Sequence, residues 1–144
     1  MINPLILSGK EVSASVYDEL SDRIGALLYK NVVPGLAVVL VGEDPASQVY
    51  VRSKTRTFKK LDLFTKTYKL PTETSQNELL DLIEELNNDN SYHGILVQLP
   101  LPKQIESDKV INAIDPKKDV DGFHPQNAGL LSIGTPRFIP CTPK

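Results

Sequence analysis

The longest apolar run of the chain covers residues 36–41, is rich in valine and is followed by Gly42. An unbroken run of this length predicts a strand that is covered on both faces, as in a parallel sheet. Asp44 is then a suitable N-cap and Pro45 a suitable first helical residue. We therefore predict a helix from Pro45 to Lys60.

Apolar residues at helical intervals predict further helices elsewhere in the chain. Two of these segments begin with a serine that is followed three residues later by a glutamate, the spacing of a capping box. These pairs are Ser8 with Glu11 and Ser75 with Glu78. The predicted helices cover residues 10–30, 76–88 and 104–114, and one further helical turn is predicted at 127–131.

Two shorter segments have the pattern of strands. Residues 65–70 alternate between the two faces of a strand, and residues 94–97 form the apolar run Gly-Ile-Leu-Val. Strands that alternate with helices indicate βαβ units. We therefore predict an α/β fold, a three-layer αβα domain with a mostly parallel sheet and right-handed connections.

Composition narrows the classes of protein to consider. The chain has 144 residues, of which 40% are hydrophobic and 24% charged, which is typical of one globular domain. The formal net charge of −2 gives no electrostatic reason to expect nucleic acid as a partner. No segment reaches the roughly 20 apolar residues of a membrane span, and a single cysteine, Cys141, excludes an internal disulfide. We expect a cytoplasmic protein without a membrane partner.

Tyr50 and Lys54 lie four residues apart on the predicted helix, so their side chains share one face. They follow a buried strand, where open α/β sheets usually bind ligands. For an arbitrary pair, a half-buried tyrosine beside a surface lysine is the simpler interpretation. The same spacing occurs in short-chain dehydrogenases, but these need a glycine-rich nucleotide loop. None of the eight glycines lies within four residues of another, which disfavours that class.

Two more polar residues follow apolar or turn-forming segments. Gln98 comes directly after the predicted strand 94–97 and is either a cap of the strand or a polar group in a cleft. If it faces Lys54, its amide oxygen would orient the ammonium, and an enclosed amine would be a usable proton carrier. Asp121 precedes a glycine, which usually marks a turn. His93 and His124 lack metal-ligand spacing, so we expect no metal site.

Four segments together resemble the bifunctional methylenetetrahydrofolate dehydrogenase/methenyltetrahydrofolate cyclohydrolase family. They are Val-Gly-Glu-Asp-Pro-Ala-Ser-Gln-Val-Tyr-Val-Arg-Ser-Lys, Gly-Ile-Leu-Val-Gln-Leu-Pro-Leu-Pro, Lys-Asp-Val-Asp-Gly-Phe-His-Pro-Gln-Asn-Ala-Gly and Pro-Cys-Thr-Pro. The resemblance covers essentially the whole chain, in the same order and at matching spacing. It implies that residues 1–144 are the N-terminal catalytic, folate-binding domain of such an enzyme. In the family, a Rossmann domain that binds NADP follows, and the active site lies between the two.

The resemblance also implies roles for individual residues. Lys54 corresponds to the catalytic lysine, Gln98 to its hydrogen-bonding partner and Tyr50 to the tyrosine that stacks on the aminobenzoyl ring of the folate. Asp121 corresponds to the carboxylate that binds the pterin. The remaining matches are Ser47 as a supporting polar residue, Leu99 and Pro100 as substrate-binding residues, and Thr142 on the nicotinamide side.

The implied partners are tetrahydrofolate derivatives and NADP, and the family enzymes are usually homodimers, largely through the second domain. One departure is Asp62, near which the family commonly has a glycine. Without the second domain we expect no NADP-dependent oxidation. The alternative is a non-catalytic folate-binding or interaction module that ends naturally at Lys144.

Overall fold

The computed structural model describes residues 8–140. The chain forms two compact units, residues 1–33 and residues 34–144. The first unit contains helix α1, Gly9–Leu28, close to the helix predicted over 10–30. The Ser8 hydroxyl accepts a hydrogen bond from the Glu11 N–H, which is one half of the predicted capping box. No residue of α1 is buried.

The second unit contains the remaining elements, all in the predicted order. They are β1 (Gly35–Val41), α2 (Pro45–Lys60), β2 (Phe64–Leu70), α3 (Gln76–Asn88), β3 (Gly94–Val97), α4 (Ser107–Ala113) and α5 (Pro125–Ser132). The capping box between Ser75 and Glu78 is complete, because each side chain bonds the backbone N–H of the other. The predicted bounds of α2, α3 and β3 are confirmed, and β1 and β2 each begin one residue earlier than predicted.

Two helices differ from their predicted lengths. Helix α4 begins later than residue 104 because the Ile105 N–H bonds the Pro102 carbonyl in a turn. Helix α5 is longer than the single predicted turn. Pro125 occupies its first turn and His124 caps it, since the His124 Nδ1 accepts from the Gln126 N–H. A histidine cap before proline is a weak signal in sequence, because serine, threonine, aspartate and asparagine are the preferred caps.

The sheet has the order β2-β1-β3 and every pair is parallel, as predicted. All seven residues of the central strand β1 are buried. Its alternate side chains divide the core in two. Ala37, Val39 and Val41 pack with residues of α3 and α4, whereas Leu36, Val38 and Leu40 pack with Val51 and Phe58 of α2.

Helix α2 therefore covers one face of the sheet, and α3 and α4 cover the other. This arrangement confirms the predicted three layers. Because the strands are parallel, their carboxyl ends meet at one edge, where α2 begins and Gln98 follows β3. At the other end of α2, Asp62 has a φ of 52°, in the left-handed region that favours glycine. A glycine at this position would adopt the same conformation without strain.

Candidate active site

The N-terminus of α2 is fixed by Asp44, whose Oδ2 accepts a 2.7 Å hydrogen bond from the Ser47 N–H. This bond is the main reason that the pKa of Asp44 lies below its ordinary value. Ser47 is buried, and its hydroxyl lies 3.5 Å from the Leu99 carbonyl oxygen. The cap and this contact tie the start of α2 to the segment that follows β3.

A cavity of about 380 Å³ lies beside α2 and joins three separate segments of the chain. Tyr50 and Lys54 come from α2, Gln98 follows β3, and Asp121 comes from the turn before α5. The predicted site residues are therefore neighbours in space. The complete lining consists of Tyr50, Lys54, Val97, Gln98, Leu99, Asp121 and Phe123.

Three predicted residues stand apart from this lining. Ser47 does not line the cavity, but its hydroxyl contacts the carbonyl oxygen of Leu99, which does. Pro100 is exposed and follows a cis peptide bond with Leu99, but it does not line the cavity. Thr142 lies outside the described residues.

Of the two polar atoms of the Gln98 side chain, one is hydrogen-bonded and the other is not, within the described residues. Its Nε2 donates to the Leu99 carbonyl at 2.9 Å. Its Oε1 is buried and has no hydrogen-bond partner among residues 8–140. The predicted hydrogen bond from Lys54 is therefore not formed here. A buried acceptor without a partner is costly, so this oxygen is suited to a donor that enters the cavity.

Asp121 is partly shielded from solvent, and this burial raises the pKa of its carboxyl group. The positive charge of Lys54 opposes the rise, and the negative charge of Asp119 adds to it. The cavity thus holds a cation and a carboxylate together. Lys54 itself is only half-buried, less enclosed than the sequence interpretation required.

Two aromatic rings form the rim of the cavity. Tyr50 is 62% exposed and Phe123 is 50% exposed, so both offer ring surface to a ligand. Aromatic faces favour offset or edge contacts with other flat rings. Sequence reasoning missed Phe123; the only signal was an aromatic residue two positions after Asp121 in a turn-rich segment.

The start of α2 does not fit the pyrophosphate of NADP. Phosphate sites in α/β folds use the free N–H groups of a helix N-terminus after a glycine-rich loop. Here the Asp44 carboxylate occupies the start of α2, and Glu43 adds a second negative charge. Within residues 8–140, no three His, Cys, Asp or Glu side chains group as metal ligands. In the same part of the chain, no helix combines the length and apolarity needed to cross a bilayer.

Residues 7–121 match the family model of the tetrahydrofolate dehydrogenase/cyclohydrolase catalytic domain. Curated relatives include the bifunctional protein FolD of Geotalea daltonii, which is 55% identical over 138 residues. That alignment covers 96% of this chain and 49% of the relative. The FolD of Zymomonas mobilis is 54% identical, over 99% of this chain and 48% of the relative. The chain thus spans about half the length of the curated relatives that it matches.

Solved structures give the same result at the level of the fold. The bifunctional FolD of Campylobacter jejuni superposes with a TM-score of 0.92 at 47% identity, over 96% of this chain and 50% of that chain. The Trypanosoma brucei dehydrogenase-cyclohydrolase, in complex with NADP and an inhibitor, has a TM-score of 0.92 at 32% identity. This second match covers 99% of this chain and 49% of that chain.

Proposed function

Because this chain belongs to the tetrahydrofolate dehydrogenase/cyclohydrolase family, we propose that it is the folate-binding catalytic half of such an enzyme. The proposed reactions are the oxidation of 5,10-methylenetetrahydrofolate and the hydrolysis of the resulting 5,10-methenyl cation to 10-formyltetrahydrofolate. The observation that carries the proposal is the cavity, which joins Tyr50, Lys54, Gln98 and Asp121 from three segments.

The substrate has a pterin at one end and an aminobenzoyl ring next to it. A pterin edge presents adjacent N–H donors, which a carboxylate accepts in a bidentate way, so Asp121 is the proposed pterin ligand. The exposed ring of Tyr50, at the rim of the same cavity, is the proposed stacking surface for the aminobenzoyl ring. The reactive carbon would then lie between these two groups, near Lys54.

Hydrolysis of the methenyl cation requires proton movement beside a positively charged carbon. A water molecule adds to that carbon and loses a proton as the C–O bond forms. The bond from the carbon to one of its two nitrogens then breaks. The new hydroxyl loses its remaining proton to give the formyl C=O, and the nitrogen takes up a proton, so that one proton is released overall. We propose that the Lys54 amine carries the proton between these positions and that the buried Gln98 Oε1 orients the amine.

The proposed oxidation also requires an NADP site, and the start of α2, with Glu43 and the capping Asp44 carboxylate, does not fit a pyrophosphate. We propose that a second, Rossmann-type half supplies the NADP site, with Thr142 on the nicotinamide side. The family resemblance supports this division, as does the half-length coverage of relatives such as the NADP-bound Trypanosoma brucei structure. A cytoplasmic homodimer that supplies one-carbon units for purine biosynthesis completes the proposal.

The test is hydrolysis of 5,10-methenyltetrahydrofolate, followed by absorbance. It uses the 144-residue chain and a fusion of this chain to the C-terminal half of the 55%-identical Geotalea daltonii relative. We expect turnover in the fusion. Lys54→Ala should lower kcat by about a hundred- to ten-thousandfold, the usual contribution of a positioned acid or base. Lys60→Ala, an exposed lysine on the same helix, is the matched control and should leave kcat unchanged.

The outcomes separate the proposal from its alternative. Full turnover in a folded Lys54→Ala fusion would refute the catalytic role of Lys54. A folded wild-type fusion that binds folate without hydrolysing it would favour the non-catalytic folate-binding module. Circular dichroism of each variant establishes that it is folded.

A further inference from the structure

A buried carboxylate, Asp119, lies two residues before Asp121 and outside the cavity lining. Its side chain is 3% exposed. Its Oδ2 accepts two hydrogen bonds of 2.9 Å, from the backbone N–H of His124 and from the side-chain amide of Asn127. Buried charges are costly unless they are paired or hydrogen-bonded. The proposed chemistry gives this charge no role, so its place in the fold needs another explanation.

Asn127 extends the contacts of Asp119 to both sides of the turn. It is 1% exposed, and its Nδ2 also donates to the Pro116 carbonyl at 2.8 Å. Its Oδ1 accepts from Nη1 of Arg137 at 3.2 Å. The side chain therefore uses both its amide nitrogen and its oxygen to link α5 to the segments before and after the turn.

The residues that precede Asp121 are anchored to the sheet and to α3. The Ile95 N–H donates to the Lys118 carbonyl at 2.7 Å, and Asp119 pairs with Ile95 as a parallel bridge. Lys118 Nζ donates to three carbonyl oxygens at the C-terminal end of α3, at 2.9, 2.8 and 2.8 Å. The start of the 119–124 turn is thus fixed to the sheet and to α3, and the end of the turn is fixed by the bond from the His124 N–H to the Asp119 side chain.

Resting on the proposed function, we propose that Asp119 is a positioning residue for folate binding. It holds the His124 N–H and the Asn127 amide, and so fixes the turn that presents Asp121 to the cavity. Removal of the Asp119 carboxylate leaves the His124 N–H and one N–H of the Asn127 amide without an acceptor in a buried place. The turn then rearranges, and small displacements of a positioned group are enough to weaken binding substantially.

The test compares Asp119→Ala, Asp119→Asn and Asp121→Asn in the fusion described above, by steady-state hydrolysis of 5,10-methenyltetrahydrofolate. We expect Asp119→Ala to raise KM by about tenfold with little change in kcat. Asp119→Asn keeps an oxygen acceptor and should recover most of the affinity. Asp81→Ala, an exposed aspartate of α3, is the control and should leave KM unchanged.

The double variant distinguishes positioning from a general loss of structure. If Asp119 acts through Asp121, Asp119→Ala should add little to the effect of Asp121→Asn, because coupled residues are not additive. Fully multiplicative effects, or an unchanged KM in a folded Asp119→Ala protein, would overturn the proposal.

Amide hydrogen exchange in the 144-residue chain tests the same inference without turnover. Asp119→Ala should speed exchange of the His124 N–H by at least about tenfold while the sheet amides keep their protection. Unchanged exchange at His124 would overturn the positioning role. Absence of hydrolysis by the wild-type fusion, in contrast, would refute only the proposed function.

Discussion

Helix α2 has a concave surface on each side, and the two surfaces differ in chemistry. On one side lies the candidate-site cavity, lined by Tyr50, Lys54, Gln98 and Asp121 among others. On the other side lies a larger groove of about 470 Å³ between α2 and β2. We call it the basic groove. Its lining is Leu40, Gln48, Val51, Arg52, Thr55, Arg56, Lys59, Lys60, Thr67 and Lys69.

The basic groove is larger than the cavity and has more cationic side chains, but all of its charged side chains are positive. Its arginines and lysines are exposed, so they are well solvated and contribute an ordinary polar helix face. The candidate-site cavity instead places a half-buried lysine near a partly buried carboxylate and an amide oxygen that has no hydrogen-bond partner among residues 8–140. Groups of opposite sign in a shielded place can bind, orient and exchange protons. Here, groups of mixed charge and partial burial identify a candidate site better than cavity volume does.

Among the residues of the two surfaces, Asp121 in the cavity is expected to have the largest effect on KM. Asp121→Asn removes hydrogen bonds to a charged group, worth about 1.5 to 3 kcal/mol, so KM for the folate should rise roughly ten- to hundredfold. In the proposed mode of binding, the carboxylate of Asp121 binds the pterin in its ionised form, and burial raises the pKa of this group. Wild-type affinity should therefore fall as the pH drops, beginning at a higher pH than for an ordinary aspartate.

The matched readout for Asp121 is the pH profile of KM. Asp121→Asn cannot ionise at this position and should flatten the rise of KM at low pH. An unchanged rise would assign the titration to another group.

The raised pKa of Asp121 also affects stability. A folded-state pKa above the unfolded value means that the stability this group contributes at low pH is lost as the pH rises. Asp121→Asn should therefore raise the unfolding midpoint at neutral pH while it weakens binding.

A smaller effect is expected at the rim of the cavity. Tyr50→Leu keeps an apolar side chain but removes ring stacking, which is worth about 0.5 to 1.5 kcal/mol. We expect KM to rise by roughly two- to tenfold, with kcat nearly unchanged. Tyr29→Leu, at a tyrosine that is 90% exposed on the first unit, is the control. Equal effects of the two substitutions would argue against stacking at Tyr50.

The smallest effect is expected for substitutions in the basic groove, and they test directly whether the two surfaces differ in function. Exposed substitutions usually change stability by less than about 0.5 kcal/mol. The double substitution of Arg52 and Arg56 by alanine should leave both KM and the unfolding midpoint nearly unchanged. An increase of KM beyond about tenfold would show that the groove contributes to folate binding and that the two sides of α2 act together.

Much of the local structure followed from the sequence. The apolar run of β1, the Asp44-Pro45 start of α2 and the Ser75–Glu78 capping box are local signals, and the structure confirmed each one. The shorter α4 and the longer α5 were missed because a turn bond at Ile105 and a histidine cap leave almost no pattern. For α1, the apolar spacing predicted the helix itself but said nothing about burial.

The pairing of Tyr50 with Lys54 follows from the sequence alone, because a spacing of four residues places two side chains on one face of any helix. The parallel sheet also follows from the sequence, through strands that alternate with helices. No local pattern showed that Gln98 and Asp121 meet this pair. The family resemblance implied a shared site, and the tertiary structure brings the four residues to one cavity. Their proximity depends on β3 lying beside β1 and on Asp119 pairing with Ile95. These contacts join residues far apart in sequence, and such pairing depends on core packing that no local pattern records.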